Sequence, residues 1–510
     1  MFLIGVDLGT TATKAALYDL AARLVSEGRA EVPLYYPHPG SVEQDMDDFY
    51  RSAAVAIRQC MDSCRVDPSQ VAGVAFDSQM AGIGAIDENF KPATRFDSWL
   101  DARCQPYIEH IDKHFANRVT ALTGCPPTCN HGPKMLWWAN ERASEYKRIA
   151  KFVTPGSYVA GKAVKLRAEQ AFIDPTFLHF TAVSDAAAGT WSDELCSALE
   201  IDPQRLPRIV EPWTVIGELS PEAARDFGLK AGVPVAAGCG DTAAGALGAG
   251  VVRPGMLLDT AGTASVLACC TDRYVADTRH RALMVMRSVI PGIWNPLAYV
   301  GGGGLALQWY GREFSNNQER GAGPDEFYDE LFASAGEAPA GCEGLLFSPH
   351  LGGRICPAGP EMRGAWIGFS WAHTRKHFFR AILESIGYEY AWYLRILRGL
   401  SPELNLVEAR VIGGGARSEI WNQIKSDILS VPYAQLGRKE CATWGSAMIA
   451  GKACGAITDL AGTATALAPL AGKLLSPNPV LRATYDATLE RYLCWQQRLK
   501  TGFETYDKRN

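Results

Sequence analysis

At 510 residues the chain is too long for a single compact hydrophobic core, so two large domains are expected. Hydrophobic residues make up 47% and charged residues 21%, the balance of a globular chain in water. The 50 basic and 55 acidic residues are well mixed and leave a net charge of −5, with no basic tail or stripe on which a nucleic-acid backbone would dock.

The first residues, 2–6, form a short apolar run that reads as a buried strand, followed by the turn Asp7-Leu8-Gly9-Thr10-Thr11. No basic leader precedes it, and Asp7 interrupts the apolar run too early for a secretion signal, so a cytoplasmic protein is expected. Residues 15–18 and 23–30 read as two further strands of a meander. A helix is predicted over 47–64, capped by Asp45 or Asp47, with Tyr50, Ala53, Ile57, Met61 and Cys64 on one face. A strand over 71–76 then delivers Asp77-Ser78-Gln79-Met80-Ala81-Gly82 into a loop, and a helix over 135–148 follows a loop rich in Pro and Cys.

The pattern then recurs. A strand over 233–237 leads into Gly238-Cys239-Gly240-Asp241 and a small-residue helix over 242–248. This apolar stretch is broken by Asp241 and rich in Gly, which argues against a membrane span. Next comes a strand ending in Asp259-Thr260-Ala261-Gly262-Thr263 and a second strand over 266–269. This is a second copy of the opening hairpin, and it suggests two similarly built domains facing each other. A helix over 376–397, a strand over 409–412 running into Gly413-Gly414-Gly415-Ala416, a helix over 418–429 and a C-terminal helix over 486–503 complete the chain. The 14 cysteines include the spacings Cys60/Cys64 and Cys125/Cys129. Neither has a partnering pair at zinc-ribbon spacing, so they read as small buried hydrophobes rather than metal ligands.

A phosphate site needs closely approaching backbone N–H donors, hydroxyls beside them and a carboxylate for a metal. The first turn has all three in Gly9, Thr10, Thr11 and Asp7, with Lys14 on the next strand; the second has Gly262 and Thr263. A single such turn is equally consistent with a plain hairpin, but two of them fit a nucleotide clamped between domains. Asp241 stands between a Gly turn and a helix. This is an ordinary N-cap position, and one that also holds a carboxylate ionised as a proton acceptor. Gly414, Gly415 and Ala416 offer flat backbone to a nucleoside. The run Gly301-Gly302-Gly303-Gly304 formally fits a dinucleotide fingerprint but lacks the acidic partner about twenty residues on. A true P-loop is absent.

These motifs, together with Trp99-Leu100-Asp101-Ala102-Arg103, Pro133-Lys134-Met135-Leu136-Trp137, Ser184-Asp185-Ala186-Ala187 and the segment from Gly364 to Glu384, resemble the FGGY carbohydrate kinases over nearly the whole chain. The xylulose kinases are the subgroup they most resemble. The resemblance implies an α/β, two-domain actin/hexokinase-like (ribonuclease H-like) fold with an interdomain cleft. Residues 1–245 would form the sugar-binding domain and 246–510 the ATP-binding domain. It further implies ATP and Mg2+, with Asp7 holding the metal, Thr10, Thr11, Lys14, Gly262 and Thr263 at the phosphates, and Gly414, Gly415 and Ala416 at the nucleoside. Asp241 would be the base. Gln79, Met80, Ala81, Trp99, Asn130, Asp241 and Thr242 would meet the sugar, expected to be a ketopentose such as D-xylulose.

The chain departs from the xylulose kinases where Ala81 replaces a His, at Pro349-His350-Leu351-Gly352-Gly353-Arg354, and at Cys129-Asn130-His131-Gly132. All three departures bear on the acceptor, which leaves another ketose, a polyol or a sugar acid as alternatives (ribulose, erythritol or glycerol, gluconate). A non-catalytic sugar sensor would be expected to add a DNA-binding element, and a chaperone-type ATPase a further domain; neither is evident. No nucleic-acid or membrane partner is expected, and a homodimer is compatible with the sequence.

Overall fold

In the computed structural model, which describes residues 1–314, 324–438, 440–468 and 470–507, the chain folds around two mixed β-sheets of seven strands each. Each sheet is centred on one of the hairpins seen in the sequence. In the first, Phe2–Leu8 pairs antiparallel with Ala12–Asp19, which pairs with Leu24–Glu31. On the other side Phe2–Leu8 lies parallel to Val71–Ser78, which lies parallel to Pro234–Ala236. In the second, Met256–Ala261 pairs antiparallel with Ser265–Cys269, which pairs with Trp294–Val300. Its other neighbour is the parallel strand Glu408–Ile412, followed by Tyr433–Leu436, again parallel. The five-strand core is the same in both halves, so the α/β, two-domain actin-like arrangement is present and the duplication extends well beyond the turns.

Strand alternation sorts the side chains. Ile4, Val6 and Leu8 face one core beneath the helix Met46–Asp62, while Leu3 lies in a separate core on the opposite face of the sheet. Asp45 is the cap of that helix, its carboxylate accepting from the Asp47 N–H at 2.8 Å. On the second face lies the helix Cys441–Ala453, donated by the C-terminal half of the chain. Its approach is so close that a Cβ on Gly5 would fall 1.8 Å from the Thr443 carbonyl oxygen. This helix crosses Asp241–Gly248, where Cβ atoms on Gly445 and Gly248 would meet the Ala244 and Cys441 carbonyls at 2.0 and 1.8 Å. Small residues in both helices thus let two backbones touch between the sheets. The expected boundary at 245/246 falls within one of these helices.

Three local expectations are corrected. Asp77 belongs to the strand Val71–Ser78, and the loop begins at Gln79. The helix expected over 135–148 starts earlier, as His131–Glu141, and breaks at Arg142 (φ −135°, ψ 51°) before a short turn Ala143–Tyr146. Asp241 is the first helical residue and Gly240 is the cap. Among the described residues no helix is long and apolar enough to cross a membrane, and all cysteines are unpaired.

Candidate active site

Three neighbouring strands of the first sheet end at the same edge, and each brings a carboxylate there. Asp7 and Asp77 are register partners on parallel strands. Cys239–Gly240 pairs with Asp77 and Ser78, which sets Asp241 just beyond the strand end. Burial raises the Asp7 carboxyl, and the nearby Lys14 ammonium offsets this only in part. Asp77 is held well above the usual carboxylate range, first by burial and then by the Asp7 charge. Asp241 is pushed up to about 7 by burial and by Asp7, although the Thr242 N–H (2.6 Å) and hydroxyl (3.2 Å) both donate to its Oδ1. A carboxyl poised near neutrality is suited to accept a proton.

Lys14, opposite Asp7 in the hairpin, reaches Glu440 at 2.8 Å, at the start of the helix from the C-terminal half. Ser446 on that helix donates to Asp77 Oδ2 at 2.5 Å. The two halves of the chain therefore meet at the carboxylates. Asp77 Oδ1 is buried with no hydrogen-bond partner among the described residues. Two adjacent carboxylates with a spare oxygen suit a hard divalent cation that takes oxygen ligands and keeps several waters. Among the described residues no three His, Cys, Asp or Glu side chains form a ready-made metal cage, so further ligands would have to come from water or a bound phosphate.

The first turn is tied to the loop after Val71–Ser78. Trp99 Nε1 donates to Thr10 Oγ1 at 2.9 Å, and Thr10 Oγ1 in turn reaches Gln79 Oε1 at 3.4 Å. Gln79 Nε2 donates to Gln44 Oε1 (2.8 Å), and Gln44 Nε2 donates to the Thr10 carbonyl (2.9 Å). Thr11 is exposed. Arg103, in the same segment as Trp99, bridges Glu43, Asp97 and Asp101 at 2.8–2.9 Å and lies over the Trp137 ring at 4.4 Å. Met80 packs over Gly240, where its Sδ would meet an added Cβ at 2.6 Å. Ala81 sits in the left-handed region at φ 62°, uncommon outside glycine and asparagine. Lys134 Nζ donates to the Ala81 carbonyl at 3.4 Å from below. Asn130 is buried; its Nδ2 donates to Thr128 Oγ1 (3.0 Å) and its Oδ1 has no partner among the described residues.

The second turn has different supports. The Gly262 and Thr263 carbonyls accept from the Gly304 and Leu305 N–H groups at 3.0 and 2.9 Å, in the first turn of the helix Gly303–Phe314. The glycine run at 301–304 is therefore the brace of this turn, not a dinucleotide loop. The backbone of Gly413 (φ 87°) passes against it: a Cβ there would lie 2.8 Å from the Ala261 carbonyl oxygen, and one on Gly415 would strike Trp421 and Ala261. Gly414 faces open space. The Ala416 carbonyl is held by the Asn422 side-chain amide at 2.9 Å and by Gln435.

The site residues expected from sequence thus fall into two groups, one in each half of the chain. The first is Asp7, Thr10, Thr11, Lys14, Gln79, Met80, Ala81, Trp99, Asn130, Asp241 and Thr242; the second is Gly262, Thr263, Gly414, Gly415 and Ala416. Sequence reasoning missed Asp77, Gln44, Glu440, Ser446 and the contacts of Lys134. Asp77 carried a readable signal, an Asp at a strand end like Asp7. Glu440 and Ser446 carried none, since they reach the site only through the helix exchanged between halves.

Residues 2–248 match the N-terminal domain of the FGGY family of carbohydrate kinases and residues 259–454 match its C-terminal domain. The chain is 27% identical to the xylulose kinase of Bacillus subtilis (strain 168), covering 88% of this chain and 87% of that one. It is 28% identical to the gluconokinase of the same organism, covering 84% and 82%. The solved xylulose kinase of Rhodospirillum rubrum superposes with a TM-score of 0.88 at 25% identity, covering 99% of this chain and all of the other.

Proposed function

The chain belongs to the FGGY family of carbohydrate kinases, and from that premise we propose that it transfers the γ-phosphoryl group of ATP to a terminal hydroxyl of a ketopentose, D-xylulose first among the candidates. Asp241 takes the proton of the attacking hydroxyl. The observation that carries this reading is its carboxyl, held near 7 at the end of the strands that also carry Asp7 and Asp77. Gln79, Met80, Ala81, Trp99, Asn130 and Thr242 form the acceptor side. Thr10, Thr11, Lys14, Gly262 and Thr263 receive the phosphates, and Gly414, Gly415 and Ala416 flank the nucleoside. Residues 1–245 carry the sugar and 246–510 the nucleotide.

Asp7, backed by Asp77, would hold Mg2+. When bound, that ion neutralises charge on the transferring phosphates. The chain's own work is positioning: phosphoryl transfer needs alignment more than covalent help, and closure of the two halves excludes competing water. Thr10 joins the two sides of the site, because its backbone belongs to the phosphate turn and its hydroxyl is held by Trp99.

A sugar acid is the second reading. It is favoured by the gluconokinase relatives and by the buried Lys134, a cation whose ammonium lies at the Ala81 carbonyl. ADP release measured over pentuloses, hexuloses, polyols and sugar acids decides between the two. Turnover on D-xylulose supports the first reading, and preference for gluconate supports the second. ADP release indifferent to every acceptor would sink both.

A further inference from the structure

Beneath the acceptor loop lies a group of side chains that phosphoryl transfer does not use. Cys104 is the residue before the helix Gln105–Thr123 and is 1% exposed. Cys129 is half-buried in the Pro-rich loop before His131–Glu141. Their sulfurs are 3.6 Å apart, although 25 residues separate them in the chain. Lys134 Nζ lies 3.3 Å from Cys129 Sγ and 3.1 Å from its carbonyl oxygen, and the same ammonium holds the Ala81 carbonyl. In its protonated form the Cys129 thiol donates to the Asp101 carbonyl.

This is an asymmetric pair. The sulfur of the less buried residue, Cys129, faces a cation and a thiol donor, and the sulfur of the buried Cys104 lies beside it. The Cys104 hydrogen bond and then Lys134 bring the Cys129 thiol down to about 6 against the effect of burial, while that bond and burial drive Cys104 far up. Reactive thiols have this profile: a thiolate beside a lysine, part-exposed, with a second thiol in reach.

We propose that Cys129 is a peroxide-reactive thiol and Cys104 its resolving partner, so that a hydroperoxide converts the pair to a disulfide that disables the acceptor loop. The Cys129 thiolate attacks one peroxide oxygen. An S–O bond forms as the O–O bond breaks, giving a sulfenic acid and hydroxide; the sulfur is oxidised by two electrons and the peroxide reduced. The hydroxide takes the Cys104 proton and leaves as water. The Cys104 sulfur then attacks Cys129 Sγ and expels a second hydroxide, which recovers the proton first lost by Cys129. In sum, two thiols and one hydrogen peroxide give one disulfide and two waters. Closing from 3.6 Å to a bond of about 2.05 Å draws Cys129 towards Cys104 and removes the thiolate from Lys134. Lys134 thereby loses one of its anchors while it supports Ala81, and Asn130, the next residue in the chain, moves with the loop.

The test uses the unsubstituted full chain and hydrogen peroxide itself. After oxidation, alkylation of the remaining thiols and digestion without reductant, mass spectrometry should find the Cys104 and Cys129 peptides joined, two hydrogens lighter than their sum. Cys104→Ser should stop at the sulfenic acid and carry a dimedone adduct on Cys129; Cys129→Ser should give neither product. With an acceptor that the protein phosphorylates, oxidation should raise the acceptor KM severalfold and leave the ATP KM unchanged, and dithiothreitol should restore it. Cys129 recovered as a free, alkylated thiol after full oxidation would overturn the proposal. So would dimedone spread equally over Cys64 and Cys454, the other half-buried thiols, or a joined pair with an unaltered acceptor KM. The peptide readout needs no knowledge of the acceptor, so it fails or succeeds independently of the sugar assignment.

Discussion

The two opening hairpins look alike in sequence, yet their aspartates do opposite things. Asp7 stands one residue before the last strand residue of its hairpin, Leu8, and Asp259 stands two residues before its counterpart, Ala261. In a strand, a one-residue difference reverses the face. Asp7 therefore points to the interdomain side, where it meets Asp77, Asp241 and Lys14. Asp259 points to the outer side, fully buried, where Lys425 neutralises it and the Tyr390 hydroxyl donates to it at 3.0 Å. One aspartate is left available for chemistry and the other anchors two helices to the sheet. The turns differ in the same way. The first keeps residues 9–12 outside the ladder and hangs on the side chains of Trp99, Gln79 and Gln44, while the second keeps only 262–264 outside and is braced by backbone. A duplicated device has thus been divided into a turn held by side chains and a turn braced by backbone.

Substitutions can break this contrast. The largest effect is expected at Asp241: Asp241→Asn should lower kcat by roughly 10²–10⁴-fold, the usual worth of a general base, with little change in ATP KM. Near-normal turnover in steady-state kinetics would remove Asp241 from the mechanism. Next is Lys425→Met, which strands the buried Asp259 charge and should cost about 3–5 kcal/mol in denaturant unfolding. Asp259→Leu combined with Lys425→Met should recover much of that loss, because an apolar pair needs no desolvated ions. An equal loss in single and double variants would show that the anchor is not electrostatic.

Gly262→Val adds side chain where a Cβ would meet only the Ala264 carbonyl oxygen, at 3.6 Å. Folding should be kept while the ATP KM rises about tenfold, roughly the 1.4 kcal/mol of one or two lost phosphate contacts. Gln79→Ala should instead raise the acceptor KM. If both variants moved the same KM, the division between the turns would be wrong.

The smallest effect concerns pH. The folded-state pKa of Asp241 is raised to about 7 from a carboxylate norm near 4. Its contribution to stability is therefore fully present below pH ~4 and lost as pH rises through ~7. Activity runs the other way, since the base must be ionised: kcat/KM should fall as pH drops below ~7. Asp241→Asn should accordingly raise the melting temperature more at pH 8 than at pH 5, and a uniform shift would count against the raised pKa.

Much of this was legible in the chain. Phe2–Leu8, Met256–Ala261 and Glu408–Ile412 announce themselves as apolar runs ending in glycine turns, and Met46–Asp62 by its cap and periodicity, because these signals are local. The similarity of the two hairpins also pointed correctly to two similarly built halves. The break at Arg142 was not legible, since residues 135–148 contain no glycine or proline to mark a stop. Nor was the pairing of Cys104 with Cys129, which depends on where two distant loops are brought to rest.

Sequence alone determined the fold class, the two glycine-threonine turns and the kinase family, because each is carried by short motifs of residues adjacent in the chain. Only the tertiary structure decided that Asp77 joins Asp7 and Asp241, that Glu440 and Ser446 reach them from the other half, and that Asp259 does not. Those outcomes depend on strand register and on the helix Cys441–Ala453 crossing to the first sheet, and both are settled by packing between segments far apart in the chain.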